Sequence, residues 1–381
     1  MTGRSVPTVA PRLVRARAAL RGWRLDALVV SHLPNIRYLT GFTGSAGLLV
    51  IGTAESTLII DFRYATAARA LIASQPDLAA HLRLLVSANG FDETLVEVLK
   101  GGGARRIGIE GAHMPVGRFN RLSSSLAAAA PTPLQSPDAC PALVPTERAI
   151  ESWRMVKDAG EIAILREAGR RIGGLVPEVL ALARAGRAEV EVAGDIDQAL
   201  RRAGFERPAF ETIVASGPNS ALPHARPTER TLREGDGVVL DFGGVYDGYC
   251  VDLTRTLQLG DAGPEFRRLF AAVAEAQQAA ISAVRPGTLA SAVDGEARRA
   301  LGRYNLAEAF GHATGHGLGL EVHEDPRVGK PANGLPDTVL EPGMVVTIEP
   351  GAYVEGVGGV RIEDDVLVTD RGCEVLTAGR G

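Results

Sequence analysis

One segment constrains the fold more than any other, because two apolar runs flank an Asp-Gly pair at 247–248. This pair between β-branched and aromatic residues is a strong signal for a two-residue hairpin turn. With that turn, Gly243 lies opposite Asp252. Opposed residues, and residues two apart on one strand, share a face of a ribbon, so Asp241, Asp252 and Thr254 point to the same side. The sequence therefore predicts an antiparallel hairpin whose two carboxylates converge.

Three further candidate residues interrupt apolar or glycine-rich runs later in the chain: His316, Glu349 and Glu363. A carboxylate in apolar surroundings has to be paired or bound to a metal. Four carboxylates would bring about four negative charges, which two divalent cations would cancel. The residues predict a two-metal site with these ligands: Asp241, Asp252, His316, Glu349 and Glu363.

Oxygen ligands with a single imidazole favour hard cations over a thiolate-type zinc site. We expect manganese, with cobalt or zinc as alternatives that the residues do not separate. Two such ions would share a bridging water and present it as hydroxide to a polarised carbonyl. A nearby carboxylate would collect and return the proton, which is hydrolysis without a covalent intermediate.

Composition excludes several classes of function. The net charge of −4 gives no basic footprint for nucleic acid, and the three cysteines have no spacing typical of a disulfide framework or a structural zinc. The apolar stretch near the N-terminus is broken by Arg21 and Arg24, so neither a signal peptide nor a membrane span is predicted. We expect a cytoplasmic protein with a peptide or small-molecule substrate.

The domain organisation follows from patterning along the 381 residues. Residues 1–140 alternate helical patterns with short apolar runs such as DALVVS, GLLVIG, TLIID and RIGIE, which is typical of an α/β domain. The proline-rich stretch at 130–145 predicts an interdomain linker that ends near residue 146. Residues 147–381 mix helices with strand-like runs and form the second domain. The predicted class is α+β.

Four segments carry a family resemblance: IVASGPNSALPHARPTERTLREGDGVVLDFGGVYDGYCVDLTRT, GHATGHGLGLEVHEDPR, TIEPGAYV and GGVRIEDDVLVTDRG. They resemble the proline-specific metallopeptidases, which include aminopeptidase P and prolidase. The segments PNIRYLTGFTGSAGLLV and IIDFRY are similar to the creatinase-type N-terminal domain of the same enzymes. The resemblance implies a C-terminal pita-bread catalytic domain preceded by an α/β creatinase-type domain.

The resemblance also implies roles for individual residues. Glu349 would be both a metal ligand and the proton shuttle. Three histidines would bind the scissile carbonyl, stabilise the oxyanion and shape the proline pocket: His224, His312 and His323. Tyr353 and Arg361 match further positions of the pocket.

The activity implied is hydrolysis of the N-terminal Xaa-Pro bond by an enzyme of the small bacterial aminopeptidase P type. The partners would be peptides with proline at the second position, and neither nucleic acid nor membrane. An Xaa-Pro dipeptidase (prolidase), a methionine aminopeptidase and a non-catalytic peptide-binding module remain alternatives. Family members form dimers in which one N-terminal domain walls the partner's site, and candidates for such a wall are Arg37, Tyr38 and Arg63.

Overall fold

A computed structural model describes residues 9–128, 141–331 and 336–378. The chain divides into two compact units, of which the first ends at Arg154 and the second begins at Met155. This division falls later than the predicted start of the second domain at residue 147. Of the predicted linker, residues 130–140 lie outside the described residues.

The N-terminal unit is an α/β unit whose described residues contain one six-stranded sheet. Its helices are α1 (Val9–Trp23), α2 (Leu33–Thr40), α3 (Ala65–Ala73), α4 (Pro76–Ala79), α5 (Phe91–Gly101), α6 (Val116–Ala128) and α7 (Glu151–Arg154). Its strands are β1 (Ala27–Val30), β2 (Leu48–Gly52), β3 (Ser56–Ile60), β4 (Leu82–Val86), β5 (Arg106–Glu110) and β6 (Ala142–Thr146). The strand order is β4-β3-β2-β1-β5-β6, with β1 antiparallel to β2 and parallel to β5.

The apolar runs predicted as strands become β1, β2, β3 and β5, and the buried faces of these strands form the core with α5 and α6. Strand β6 corrects the prediction of a linker. Its residues pair in parallel with β5 from Ala142 to Thr146, although Pro145 interrupts the run. Proline is tolerated here because β6 is an edge strand of the sheet.

One residue proposed for the wall of a partner's site is buried within its own unit. Tyr38 is 5 % exposed, and the guanidinium carbon of Arg12 lies 4.0 Å from its ring centroid. Tyr38 therefore stabilises the contact between α1 and α2 and does not form a surface wall.

The second unit contains four helices and eleven strands in its described residues. The helices are α8 (Ala159–Leu182), α9 (Glu189–Arg202), α10 (Gly263–Ala283) and α11 (Ala290–Gly302). The strands are β7 (Arg207–Pro208), β8 (Ile213–Ser216), β9 (Gly237–Tyr246), β10 (Tyr249–Gln258), β11 (Gly315–Gly317), β12 (Glu324–Val328), β13 (Val345–Ile348), β14 (Gly351–Val354), β15 (Gly358–Arg361), β16 (Asp364–Val368) and β17 (Cys373–Val375).

Two hydrophobic clusters hold these elements together. One packs α8 and α9 against β9 and β10, and the other packs α10 and α11 against β13, β15 and β16. Helix α8 begins at a capping box, in which the Asp158 carboxylate accepts from the backbone of Gly160 and Glu161. This cap fixes the start of α8 at Ala159.

The predicted hairpin is confirmed residue by residue. Strands β9 and β10 pair antiparallel about the 247–248 turn, with Gly243 opposite Asp252 and Asp241 opposite Thr254. Asp247 has a φ of 47° and Gly248 a φ of 74°, which is the left-handed conformation that this type of turn requires.

The final strand run differs from the prediction. Arg361 and Glu363 are two residues apart, and this spacing predicts that they share one face of a single strand. In the structure, however, Arg361 ends β15 and Glu363 lies between β15 and β16. The backbone of Glu363 instead donates to the carbonyl of Thr254 on β10 at 3.1 Å. The break therefore brings the acid beside the hairpin.

Within the described residues, no helix is both long and apolar enough to cross a bilayer.

Candidate metal centre and active site

The five predicted ligands come from five separate places in the second unit and line one cavity of about 550 Å³. Asp241 and Asp252 project from the hairpin, His316 from β11, Glu349 from the residue after β13, and Glu363 from the break before β16. The core packing of both helix pairs therefore fixes the positions from which these side chains converge.

The distances between the ligand atoms suit metal coordination. Asp252, His316 and Glu363 each offer one ligand atom within 4.8 Å of the other two. His316 Nε2 lies 3.7 Å from Glu349 Oε1 and 4.0 Å from Asp252 Oδ2. Because one imidazole and several carboxylate oxygens face the same point, the group resembles the mixed donor set of hard divalent cations.

Three of the carboxylates that line the cavity each keep one buried oxygen without a hydrogen-bond partner among the described residues: Asp241 Oδ1, Asp252 Oδ1 and Glu363 Oε1. A buried carboxylate oxygen that meets no donor is costly and needs an explanation. Divalent cations would supply the missing partners. The residues present therefore fit the two metal ions that the sequence predicts.

The electrostatics of the cavity lead to the same conclusion. Burial raises the pKa of Asp252 well above its ordinary range, and the neighbouring Glu363 and Asp241 carboxylates raise it further. Burial raises the pKa of Glu363 in the same way, helped by Glu349. Burial also raises the pKa of Glu349 to about 8. Carboxylates that repel one another in a low-dielectric site are stabilised as anions only by added positive charge.

The histidines of the cavity shift in the opposite direction. Burial lowers the pKa of His316 to about 4, and the nearby His323 lowers it further. Burial likewise lowers the pKa of His312 to about 4 and lowers that of His323. A neutral imidazole is the form that binds a metal or polarises a carbonyl, so burial prepares these side chains for either role.

Arg361 holds several parts of the site together. Its guanidinium donates to Asp241 Oδ2 at 2.5 Å, to Tyr353 Oη at 2.7 Å and to the carbonyl of Pro223 at 3.1 Å. Thr254, which is fully buried, accepts from Arg361 Nε at 3.3 Å and donates to Glu363 Oε2 at 2.5 Å. Sequence reasoning placed Thr254 on the carboxylate face but missed this link, which orients Glu363.

The three remaining histidines of the prediction all line the cavity, and Tyr353 does not. His224 and His323 are exposed, and His312 Nε2 lies 3.1 Å from Tyr353 Oη. Tyr353 does not belong to the described lining of the cavity, and its hydroxyl contacts His312 and Arg361, which do. The structure thus places Tyr353 in contact with predicted pocket residues and not on the cavity wall.

Several residues of the cavity wall were not predicted. Apolar walls come from Phe210, Ile213 and Val322, and two cations lie on the lining as well, Arg226 and Arg327. A side chain at Gly243 would meet the Phe210 ring at 2.5 Å, so glycine is needed there for the wall to approach the hairpin. Arg226 could have been predicted as a lining residue, because it lies two residues after His224 in the PHARP segment. The apolar wall could not, because it depends on tertiary packing.

Comparison with known proteins places this geometry in a family. Residues 163–370, more than half of the chain, match the model of metallopeptidase family M24, and residues 12–156 match the creatinase/prolidase N-terminal domain. The chain belongs to metallopeptidase family M24. The creatinase-type N-terminal domain and the pita-bread catalytic domain expected from the sequence are thereby confirmed.

Relatives of this M24 peptidase resemble it over nearly its whole length. It is 32 % identical to an Xaa-Pro dipeptidase of Pyrococcus horikoshii, over 93 % of each chain. The solved Xaa-Pro dipeptidase of Bacillus anthracis is 33 % identical, with a TM-score of 0.87 over 97 % of this chain and 98 % of the other. A solved X-Pro aminopeptidase of Thermotoga maritima is 32 % identical, with a TM-score of 0.78 over 94 % and 97 %.

Proposed function

We propose that this M24 peptidase is a metal-dependent Xaa-Pro dipeptidase. The observation that carries the proposal is the combination, in one cavity, of carboxylates with unmet oxygens and an exposed cation, Arg327. A dipeptidase needs a positive charge to bind the C-terminal carboxylate of its substrate, whereas an aminopeptidase must leave that end open. The dipeptidases of P. horikoshii and B. anthracis support this choice over the aminopeptidase expected from the sequence.

The apolar walls of the cavity support proline as the second residue of the substrate. Proline has no N–H and a fixed φ, so an enzyme that acts on Xaa-Pro bonds cannot use a hydrogen bond to that nitrogen. Phe210, Ile213 and Val322 offer an apolar surface for the pyrrolidine ring without requiring a donor. Recognition would then depend on shape and on the two ends of the dipeptide.

The catalytic residues follow from the positions of the side chains. Metal ions would be held by the five predicted ligands and would supply Lewis-acid activation of water and of the scissile carbonyl. Glu349, whose pKa is raised by burial, would take the proton from the attacking water and return it to the leaving proline nitrogen. The imidazoles of His224, His312 and His323 would contact the carbonyl and its oxyanion. Arg361 would hold Asp241 in its ligating orientation, and Tyr353 would hold Arg361 by accepting from its guanidinium.

The second candidate is the Xaa-Pro aminopeptidase predicted from the sequence, and the T. maritima relative favours it. The two activities differ in how much peptide follows the proline. If Arg327 contacts the C-terminal carboxylate of a dipeptide, a third substrate residue would move that carboxylate away from the guanidinium. The length of the preferred substrate therefore decides between the candidates.

The test compares Ala-Pro with Ala-Pro-Ala after chelation and reconstitution with Mn²⁺, with mass spectrometry locating the cut. We expect the higher kcat/KM with Ala-Pro. Arg327→Ala should lower it by about 10- to 100-fold, while cleavage of the amide Ala-Pro-NH₂ should be unchanged by the substitution. Arg226→Ala is the matched control on the same cavity wall.

Other outcomes have definite meanings. A preference for Ala-Pro-Ala would establish the aminopeptidase. No cleavage of either peptide by protein with verified metal content would reject both, and would favour another aminopeptidase specificity or a peptide-binding module.

The identity of the ion, the assembly and the compartment belong to the same proposal. The oxygen-rich ligand set supports manganese over a thiolate-type zinc site, with cobalt or zinc as alternatives. We also propose a cytoplasmic homodimer that acts on proline-containing peptides. Metal analysis of the protein as purified and light scattering in solution test the first two points.

A further inference from the structure

A fully buried carboxylate outside the metal centre organises one wall of the active site. Glu189, the first residue of α9, is 0 % exposed and accepts six hydrogen bonds among the described residues. Oε1 accepts from the backbone N–H of Ser216 at 2.8 Å and from its hydroxyl at 2.6 Å. Oε2 accepts from the backbone N–H of Thr228 at 3.0 Å and from its hydroxyl at 2.7 Å. Asn219 Nδ2 donates to both oxygens.

Two of the donor residues, Ser216 and Thr228, lie at the two ends of one loop, and Asn219 lies within it. Ser216 and Thr228 flank residues 217–227, which we call the 217–227 loop, and the two oxygens of Glu189 hold one end each. The backbone N–H of Val190 also donates to the carbonyl of Thr228 at 3.1 Å. One carboxylate and the first turn of α9 therefore close the loop at its base.

The 217–227 loop supplies five consecutive residues of the cavity wall, Pro223 to Pro227, including His224 and Arg226. Its other contacts reach β15. The Ser220 hydroxyl accepts from the backbone N–H of Gly359 at 2.9 Å, and Arg361 donates to the carbonyl of Pro223 at 3.1 Å. The loop is thus held at its base by Glu189 and along its length by β15, and His224 lies between these attachments.

We propose that Glu189 is a positioning residue for substrate recognition, which sets the place of His224 in the cavity without touching substrate or metal. Its kinetic consequence depends on the proposed dipeptidase function, whereas its effect on the loop does not. None of the six hydrogen bonds comes from a candidate metal ligand, so metal binding should not depend on Glu189.

The substitution Glu189→Gln tests this role with almost no change in volume. The amide keeps one acceptor oxygen and replaces the other with an NH₂ group. Hydroxyl groups can rotate and become acceptors, but the backbone N–H groups of Ser216 and Thr228 cannot. The backbone N–H at one end of the loop must therefore face the NH₂ group of the new glutamine, which is also a donor. That end of the loop will lose its attachment to residue 189.

The matched control is Glu191→Gln, because Glu191 lies in the same first turn of α9 and is exposed. Its carboxylate accepts from the Ala188 backbone and lies 3.9 Å from Arg187 Nε, and neither contact reaches the 217–227 loop. In full-length Mn²⁺-loaded protein, we expect Glu189→Gln to speed amide hydrogen exchange across residues 216–228. We expect kcat/KM for Ala-Pro to fall by about 10- to 100-fold, mainly through KM, with the Mn²⁺ dissociation constant unchanged. Glu191→Gln should match the wild type in all three measurements.

A milder pair of variants covers the case in which Glu189→Gln does not fold. Thr228→Val removes the hydroxyl that donates to Glu189 and accepts from the backbone N–H of Arg230 and from Asn219 Nδ2. Because the backbone N–H of Thr228 still donates to Glu189, KM and loop exchange should rise by a smaller factor, and Thr228→Ser should restore both. The inference would be overturned if Glu189→Gln or Thr228→Val showed the same loop exchange and the same KM as the control Glu191→Gln. A further outcome is that the wild type cleaves no Xaa-Pro peptide while Glu189→Gln still speeds exchange in the loop. That result would support the positioning role and reject the proposed function.

Discussion

Buried carboxylates occur in both units of the chain, and they differ in how their oxygens are satisfied. In the N-terminal unit, Glu110 is 4 % exposed, and both of its oxygens meet donors. Oε2 accepts from the backbone N–H groups of Ser31 at 2.6 Å and His32 at 2.7 Å, and Oε1 accepts from Asn35 Nδ2 at 2.7 Å. This acid is a fully paired structural element.

In the catalytic unit, Asp252 and Glu363 are buried to a similar degree, with 6 % and 2 % exposure. Each nevertheless keeps one oxygen that meets no donor among the described residues. Burial alone therefore does not separate these two groups of acids. Asp365 Oδ1 is unmet as well, but Asp365 does not line the cavity, so the distinguishing feature is an unmet oxygen on an acid of the cavity wall. By this criterion Glu189, whose oxygens are fully engaged, belongs with Glu110 although it lies in the catalytic unit.

The largest effect should come from the acid to which we assign the proton transfer. Glu349→Gln removes the proton carrier while keeping the shape of the side chain, so we expect kcat on Ala-Pro to fall by about 10²- to 10⁴-fold with the fold intact. Steady-state kinetics with metal content determined for each sample measures the loss. Near-wild-type turnover by metal-loaded Glu349→Gln would remove Glu349 from the mechanism.

Asp252→Asn should weaken metal binding but stabilise the metal-free protein. The variant loses a metal ligand, and we expect its Mn²⁺ affinity to fall by at least about 100-fold. Without metal it should be more stable than the wild type, because the amide removes repulsion from Glu363 and Asp241. Calorimetric melting with and without Mn²⁺ measures both effects. A metal-free Asp252→Asn protein that melts below the metal-free wild type would contradict the repulsion argument.

The pH dependence of the metal-free protein gives a further test. Glu349 has a pKa of about 8 when folded against 4.5 as its ordinary value, so the folded state retains a proton that the unfolded state has lost. Folding then takes up a proton, and stability falls as pH rises towards 8. His312 and His316, with pKa values of about 4 when folded, act only below their ordinary 6.5 and in the opposite direction.

Between pH 6.5 and 8 we therefore expect the metal-free protein to lose stability, on the order of a few kcal/mol, and Mn²⁺ binding to release protons. Titration calorimetry in buffers of different ionisation enthalpy counts those protons. Proton-independent Mn²⁺ binding across this range would mean that the carboxylates are already ionised without metal.

Local chemistry explains which parts of this structure the sequence could predict. The 247–248 turn fixes the register of β9 and β10, so the convergence of Asp241 and Asp252 follows from two residues and the period of a strand. The remaining predicted ligands rested on their apolar surroundings and on the family resemblance. Their approach to one another is set by the packing of α8 to α11, which no local pattern encodes.

The failures have a common cause. The break at Glu363 exists because its backbone bonds Thr254 on another strand, and β6 exists because β5 offers it an edge. Both depend on partners distant in sequence, which override the local pattern. The same holds for Arg327, whose place on the cavity wall follows from the pairing of β12 with β11.

The smallest effect should come from the paired acid of the N-terminal unit, through Glu110→Gln. The amide oxygen can still serve the backbone of Ser31 and His32, but its NH₂ group must then face Asn35 Nδ2. We expect a loss of about 1–3 kcal/mol in the free energy of unfolding, measured by urea denaturation, with kcat and Mn²⁺ affinity unchanged. Glu97→Gln, at an exposed position of α5, is the control. We expect Asp252→Asn, in contrast, to stabilise the metal-free protein. If Glu110→Gln also stabilised the protein, a fully paired carboxylate would behave like one with an unmet oxygen. Hydrogen-bond satisfaction would then not separate structural acids from candidate metal ligands.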